Sequence, residues 1–322
     1  MRSVAGKVKQ TVSLMGYSLA SVISPKLNTQ LHFYRHTGHF ANLKDPKTFS
    51  EKLSWLKLYR YAEDPLVRQC ADKYRVRSYV QEQGLGEMLN ELIAVYDDPR
   101  SIRWEELPSA FALKWNFGSG FNIICKEKAK LDRAQTVHRL VCWKKDPFWL
   151  HDSELQYRVP AKKLLCERYL GTPEGDAPLD YKFYCFHGEV KAVLVIARPE
   201  DGTKAAVFMS PQWEVLSDVP EKYKRTILPQ KPATLQQMLA AAQRLAQPFP
   251  YVRVDFYECG GRPIFGEMTF TPATGVFPSE TPIDGRPMGE LLRLEDLPVR
   301  SDNGTDPQKE REREQDAVHS GS

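Results

Sequence analysis

Asp255 and Glu267 are two carboxylates whose spacing invites chemistry, and both belong to the run YVRVDFYECGGRPIFGEMTF at 251–270. Val252, Val254 and Phe256 alternate with Arg253, Asp255 and Tyr257, the period of a half-buried strand. Cys259 to Pro263 brings two glycines and a proline, which reads as a hairpin turn, and Ile264 to Phe270 is the returning run. With a loop Gly260-Gly261-Arg262, Asp255 lies across from Glu267 and Arg253 across from Thr269, all on one face. Opposed Cβ atoms in such a pair are ~5 Å apart. Two carboxylates that close repel by roughly 3 kcal/mol at an effective dielectric of 20. A compensating cation is expected: Arg253 in part, or one or two Mg²⁺ held by oxygen ligands. A solvated face with an ordinary Arg–carboxylate pair satisfies the same pattern. A one-residue slip would put the two acids on opposite faces.

A second stretch with chemical content is FALKWNFGSGFNIIC at 111–125. A strand ending in Lys114 runs into Asn116-Phe-Gly-Ser-Gly120, and Ile123 to Cys125 returns. A glycine loop between antiparallel strands can fold over phosphates, because backbone N–H groups then approach the oxygens, and Lys114 adds a fixed charge. No GK[ST] follows and the loop does not open a helix, so neither a Walker A nor a dinucleotide fingerprint is present. A plain Gly-Ser-Gly turn is the simpler alternative.

These stretches need elements to hold them. The chain of 322 residues is 42% hydrophobic and 27% charged, the composition of a globular protein with one large core or a few lobes. Six cysteines without a CxxC pair read as reduced, mostly buried thiols in a cytoplasmic protein. No apolar run is long enough to span a bilayer, and polar interruptions in 13–24 argue against a signal peptide. Net charge is +4, yet residues 1–44 hold six Lys/Arg and no acid. This basic arm, with an apolar stripe of Val4, Val8, Leu14, Met15, Leu19, Val22 and Ile23, reads either as attachment to an anionic membrane or polymer or as a helix docked on the protein's own body. Docking on the body is the preferred reading. His32, His36 and His39 have helical spacing, but Thr37-Gly38 interrupts it and metal binding is not expected.

From Asp45 on, Thr48-Phe-Ser-Glu51 is a capping box, and Pro65 opens a helix to about Gly84 that carries Asp72-Lys73 midway. Leu92 to Tyr96 is a short strand. Asp132 to Lys144 is a helix with Ala134, Val137 and Val141 inward, and LLCERYL at 164–170 is a strand holding Glu167. Tyr181 to Phe186 and Val190 to Ala197 form a hairpin across His187-Gly188, followed by strands near 205–209 and 213–216. Thr234 to Leu245 is an amphipathic helix capped by Thr-x-x-Gln, and 301–322 has the composition of a disordered tail.

In order, these are a lysine on a helix, a lysine and glycine loop on a hairpin, a glutamate-bearing strand, and an Arg-x-Asp…Glu hairpin. With DPKTFSEKLSWLKLY, ADKYRVRSYV and DYKFYCFHGEV they resemble the TupA-like ATP-grasp family over roughly 40–292. Members are associated with teichuronopeptide and other surface-polysaccharide synthesis. The resemblance implies an α+β ATP-grasp fold, two lobes clasping ATP, behind a helical N-terminal extension. The expected divisions are a basic arm at 1–44, a helical region at 45–105, a first lobe at 106–166, a second lobe at 167–297 and a tail at 298–322. Phe117 stands where the family has histidine, and Phe121 where it has a second glycine.

Carried onto this chain, Lys73 and Lys114 contact ATP phosphates, and Gly118, Ser119 and Gly120 close over them as a lid. Glu167 accepts from the adenine amino group, with backbone from Arg168 to Leu170 completing the hinge. Asp180 and Lys182 lie near ribose and phosphates. Asp255 and Glu267, with Thr269 in place of a third ligand, hold Mg²⁺, and Arg253 binds the transferring phosphoryl group. The implied reaction is ADP-forming carboxylate–amine ligation, with ATP, a carboxylate that is glycan-borne and an amine as partners and no nucleic acid. A kinase using His187 or Asp180 as base, or a non-catalytic glycan-assembly factor, are the alternatives. A glycosyltransferase is disfavoured because no Asp-x-Asp occurs.

Overall fold

Two antiparallel sheets frame this molecule, with helices packed around them. The computed structural model describes residues 16–171, 178–197, 205–216, 229–277, 282–295 and 297. Within them β1 (Leu92–Tyr96), β2 (Phe111–Trp115), β3 (Asn122–Cys125) and β4 (Leu164–Arg168) form a four-stranded sheet in the order β1-β4-β2-β3. A five-stranded sheet runs β7-β6-β5-β8-β9, from β5 (Asp180–Phe186), β6 (Glu189–Ala197), β7 (Ala205–Met209), β8 (Tyr251–Cys259) and β9 (Arg262–Thr269). β1 joins the first sheet from the region before residue 106. The expected strand at 213–216 is only a single bridge, Val215 to Met209.

Central β5 is buried along its whole length: Cys185 faces the helix at 235–246, Phe186 packs on Phe49 from the other side, and Asp180 and Lys182 line the cleft. An amphipathic helix at Leu235–Ala246 buries Met238, Ala242 and Leu245 against this sheet, and Cys185 Sγ lies 4.0 Å from Ala242 O. Phe183 and Phe256 meet edge-on at 5.6 Å on the same side. The cap expected at Thr234 does not form. Its φ of −93° and ψ of 11° depart from the extended backbone of an N-cap, and no side-chain cap bond is made.

Two other helices depart from expectation. The helix over 132–144 forms as Arg133–Lys145 with Asp132 as N-cap, but Thr136 and Leu140 are its buried residues while Ala134 is exposed. The first sheet's core claims that side: Trp115 Nε1 donates to Leu140 O at 3.2 Å. The helix expected from Pro65 to Gly84 is two, α1 (Pro65–Ala71) and α2 (Val76–Glu82). Asp72 breaks it, with an extended backbone and a carboxylate that accepts from Tyr74 N (2.8 Å) and Arg75 N (3.1 Å). A short polar side chain that bonds its own following N–H groups competes with the helix ladder.

All six cysteines are free; Cys70, Cys125, Cys166 and Cys185 are buried, whereas Cys142 is exposed. Among the described residues no helix is long and apolar enough to cross a membrane. Ahead of the body, residues 16–23 are helical and Pro25–Thr37 forms a second helix capped by Ser24. Val4, Val8, Leu14, Met15 and the expected tail fall outside the described residues.

Candidate active site

The hairpin of β8 and β9 is the floor of a cleft of about 650 Å³ that the two sheets share. Its register pairs Asp255 with Glu267 and Arg253 with Thr269, although the turn is not the three-residue loop that the sequence suggested. Cys259 pairs with Arg262 across the two-residue turn Gly260-Gly261, whose φ of +57° and +70° suit glycine. Such a turn alone would set Asp255 opposite Gly266. A β-bulge between Asp255 and Phe256 adds one residue on β9 and restores Glu267 as the partner. Gly266 fits the bulge because a Cβ there would lie 3.0 Å from Asp255 O.

The neighbouring strand continues both rows. Lys182 of β5 pairs with Asp255, and Tyr184 with Arg253, so Lys182–Asp255–Glu267 and Tyr184–Arg253–Thr269 run side by side across three strands. Arg253 Nε and Nη2 donate to Oδ1 and Oδ2 of Asp255, each at 2.7 Å. Lys182 Nζ lies 2.5 Å from Asp255 Oδ2 and 2.8 Å from Asp180 Oδ2. Burial would raise the Asp255 carboxyl, but Arg253 and Lys182 outweigh it and hold the group below its usual range. The same contest resolves the same way at Glu267, where Lys73 and Arg253 overcome burial. Arg253 is pushed up despite burial, by Asp255 first, and stays charged. Thr269 Oγ1 accepts from Arg253 Nη2 at 3.1 Å and bonds Glu267 Oε1 at 3.3 Å.

Facing this floor are cations from the first half of the chain. Lys73 sits in the break between α1 and α2, its N–H donating to Asn116 O at 2.9 Å. Its Nζ donates to Gly118 O (2.6 Å) and lies 3.6 Å from Glu267 Oε2. Lys114 Nζ donates to Glu167 Oε2 at 2.8 Å. Arg77, which the sequence reading passed over, lies 3.7 Å from Glu167 Oε1 and donates to Asn90 O at 2.9 Å. One turn of helix beyond Lys73 was the available signal. Glu167, placed by resemblance at the adenine, is thus already gripped by two cations. The Arg168 N–H is used by Glu91 O at 3.0 Å, while Tyr169 and Leu170 follow along the cleft wall.

The loop carrying Gly118, Ser119 and Gly120 overhangs the cleft. Asn116 roots it, donating to Asp72 Oδ2 (2.8 Å) and Ala161 O (3.0 Å) and accepting from Lys163 N (2.8 Å). Phe117 and Phe121 anchor it: their rings lie 5.3 Å apart, and Phe121 meets Phe148 edge-on at 5.6 Å. Lys162 Nζ sits 4.4 Å over the Phe117 ring. A Cβ on Gly118 would lie 2.8 Å from the Phe148 ring, so the loop and that ring are in contact. His187 lies elsewhere, in the β5–β6 turn, where its Nε2 accepts from Arg293 N at 3.0 Å. His32 pairs with Asp152 at 3.0 Å, and His36 Nδ1 meets His32 O at 2.9 Å.

The residues fit a nucleoside triphosphate. A cleft of this volume suits a small-molecule ligand, and Lys114, Lys182 and Arg253 from the two sheets converge on it with Lys73 from the break between α1 and α2. Asp255, Glu267 and Thr269 offer only oxygen donors, which suits a hard cation. Among the described residues no group of three or more His, Cys, Asp or Glu could hold a metal alone. Mg²⁺ bound by one or two carboxylates and completed by substrate phosphates needs no such group.

A family model described as TupA-like ATPgrasp matches residues 51–291. No curated protein matches the sequence. Among solved structures, the chain is similar to D-alanine–D-alanine ligase from Bacillus anthracis at 13% identity and a TM-score of 0.39, covering 68% of this chain and 58% of that one. It is also similar to purK, N5-carboxyaminoimidazole ribonucleotide synthetase, at 12% identity and a TM-score of 0.42, over 72% of this chain and 51% of that one. The L-amino acid ligase from Bacillus licheniformis gives 12% identity and a TM-score of 0.37, over 63% and 40%. The match spans about half the length of these solved chains, and it says nothing of this chain's substrate. The family match covers the cleft, the glycine loop and the acidic hairpin alike: the chain belongs to the TupA-like ATP-grasp family and has the α+β ATP-grasp fold.

Proposed function

We propose that the protein is an ADP-forming carboxylate–amine ligase, joining an amino acid or other amine to a uronic-acid-type carboxylate in surface-polysaccharide synthesis. The observation that carries the reading is the double row Lys182–Asp255–Glu267 and Arg253–Thr269 facing Lys73 and Lys114 across one cleft. Lys73, Lys114 and Lys182 bind the phosphates of ATP, and Arg253 holds the phosphoryl group as its charge spreads over the equatorial oxygens. Asp255 and Glu267, with Thr269, would hold Mg²⁺, which would supply charge neutralisation to the phosphates. A substrate carboxylate oxygen attacks the γ-phosphorus and the bond to ADP breaks. The amine nitrogen then attacks the acyl carbon, loses a proton, and expels inorganic phosphate. The Gly118–Gly120 loop excludes water from the acyl phosphate while the amine arrives. The polysaccharide substrate class rests on the family's association, and the reading places the enzyme in the cytoplasm.

A kinase would need a base for a hydroxyl acceptor. His187 is remote from the cleft, and Asp180 lines it but is engaged by Lys182 at 2.8 Å. The complete set of lysines and carboxylates speaks for turnover over a purely structural factor. Transfer of ¹⁸O from labelled carboxylate into released phosphate is the expected result. ADP release with no label in phosphate and a phosphorylated hydroxyl product would replace the ligase by a kinase.

A further inference from the structure

The N-terminal helices are turned inside out. On the helix Pro25–Thr37, the buried residues are Asn28, Thr29, His32 and Phe33, whereas Leu27, Leu31 and Tyr34 are exposed along one stripe. Helical residues 16–23 repeat the arrangement: Ala20 and Ser21 are buried, while Leu19, Val22 and Ile23 are 63%, 66% and 70% exposed. Phe40 extends the patch, its ring 5.0 Å from that of Tyr34. An amphipathic helix on a protein body ordinarily does the reverse.

Hydrogen bonds fix this orientation. Ser21 Oγ and Ser153 Oγ are 2.8 Å apart, and Asn28 Nδ2 donates to Ser153 Oγ (3.0 Å) and His151 O (3.1 Å). His32 pairs with Asp152. Rolling the helices to bury their leucines would break these bonds and strand the body's own polar groups. The stripe expected to dock on the body is therefore, over its described residues, the outward one.

Charge selects what covers it. Lys26, Arg35 and Lys44 are exposed among these residues, and the first 44 contain six Lys/Arg without one acid. A second copy meeting this face about a two-fold axis would set like charges together. An apolar stripe rimmed by cations matches an anionic bilayer surface. We propose that this face lies on an anionic lipid bilayer, with Leu19, Val22, Ile23, Leu27 and Leu31 at the acyl boundary and Lys26 and Arg35 among the headgroups.

Flotation of the full chain with vesicles tests this. Binding is expected to phosphatidylcholine vesicles containing phosphatidylglycerol and to be at least tenfold weaker without it. Val22→Ser/Ile23→Ser/Leu27→Ser should lower partitioning at least tenfold with an unchanged melting temperature, and Lys26→Glu/Arg35→Glu should do the same with a flattened salt dependence. Absence of vesicle binding overturns the proposal. So does a melting temperature lowered by the serine variant, which would mean residues 1–15 cover the face. A concentration-dependent dimer abolished by that variant would assign the face to a second copy instead.

Discussion

At the scale of single residues, Asp255 and Glu267 part company. The strand period and the glycine turn made the hairpin legible, but the Asp255–Glu267 pairing came from a three-residue loop where the structure has a two-residue turn and a bulge that reach the same register. The sequence could not show that Arg253 and Lys182 both close on Asp255 and leave its side chain 2% exposed. Asp255→Asn should then abolish turnover and also destabilise the fold by about 3–5 kcal/mol, because two buried cations lose their partner. The relief of like-charge repulsion expected from the sequence alone is outweighed. Glu267→Gln should cost turnover at least ~10²-fold while shifting stability by under ~1 kcal/mol, since that side chain is 36% exposed. Denaturant titration beside steady-state kinetics separates the two. Glu154 offers a pH test away from the hairpin. Burial pushes it up to about 7, against the Thr271 hydrogen bond and Lys57, from an ordinary 4.5. The folded chain therefore keeps a proton that the unfolded chain releases, so this group's contribution falls as pH rises from 4.5 to about 7 and levels off above. Glu154→Gln should gain stability relative to the parent across that window; a difference independent of pH would assign the slope to other groups.

At the scale of elements, strands were readable and helix faces less so. β2, β5 and β6 carry their own periodicity and turns, whereas the face of Arg133–Lys145 depends on which core reaches it, and a Thr136–Leu140 seam beats Ala134 only in the assembled sheet. The break at Asp72 shows the same limit. An Asp at mid-helix is compatible with helix continuation, and only the partners Tyr74 N, Arg75 N and Asn116 make it a stop. Asp72→Ala should allow α1 and α2 to merge. The expected result is a loss of about 1 kcal/mol and an ATP KM raised about tenfold, as Lys73 leaves its place beside Gly118. Unchanged KM would detach Lys73 from phosphate binding. The bulge makes a complementary forecast. Gly266→Val places carbon against Asp255 O, 3.0 Å from the Cβ position, so β9 must shift and kcat/KM should fall about tenfold or more with the global fold kept by circular dichroism.

At the scale of the whole molecule, the cleft joins two sheets that the chain builds one after the other, and the expected lobe boundary at 166/167 falls inside β4 of the first sheet. The arm docks on the body, but by its polar face rather than its apolar stripe: a stripe is buried only when the opposite face lacks better-matched partners, and here Ser21, Asn28 and His32 have them. One segment, 148–153, touches both the loop over the cleft and the N-terminal helices. Its Phe148 ring abuts Gly118 in the loop over the cleft, and its Leu150, His151, Asp152 and Ser153 hold the N-terminal helices. Thermodynamic reciprocity follows for any ligand pair that moves this shared strut. If ADP shifts vesicle partitioning by some factor, vesicles must shift the ADP dissociation constant by the same factor. Both factors should exceed ~2 and collapse to unity together in Phe148→Ala, as read by isothermal titration and flotation on the same preparation; a factor that survives the substitution would place the coupling elsewhere.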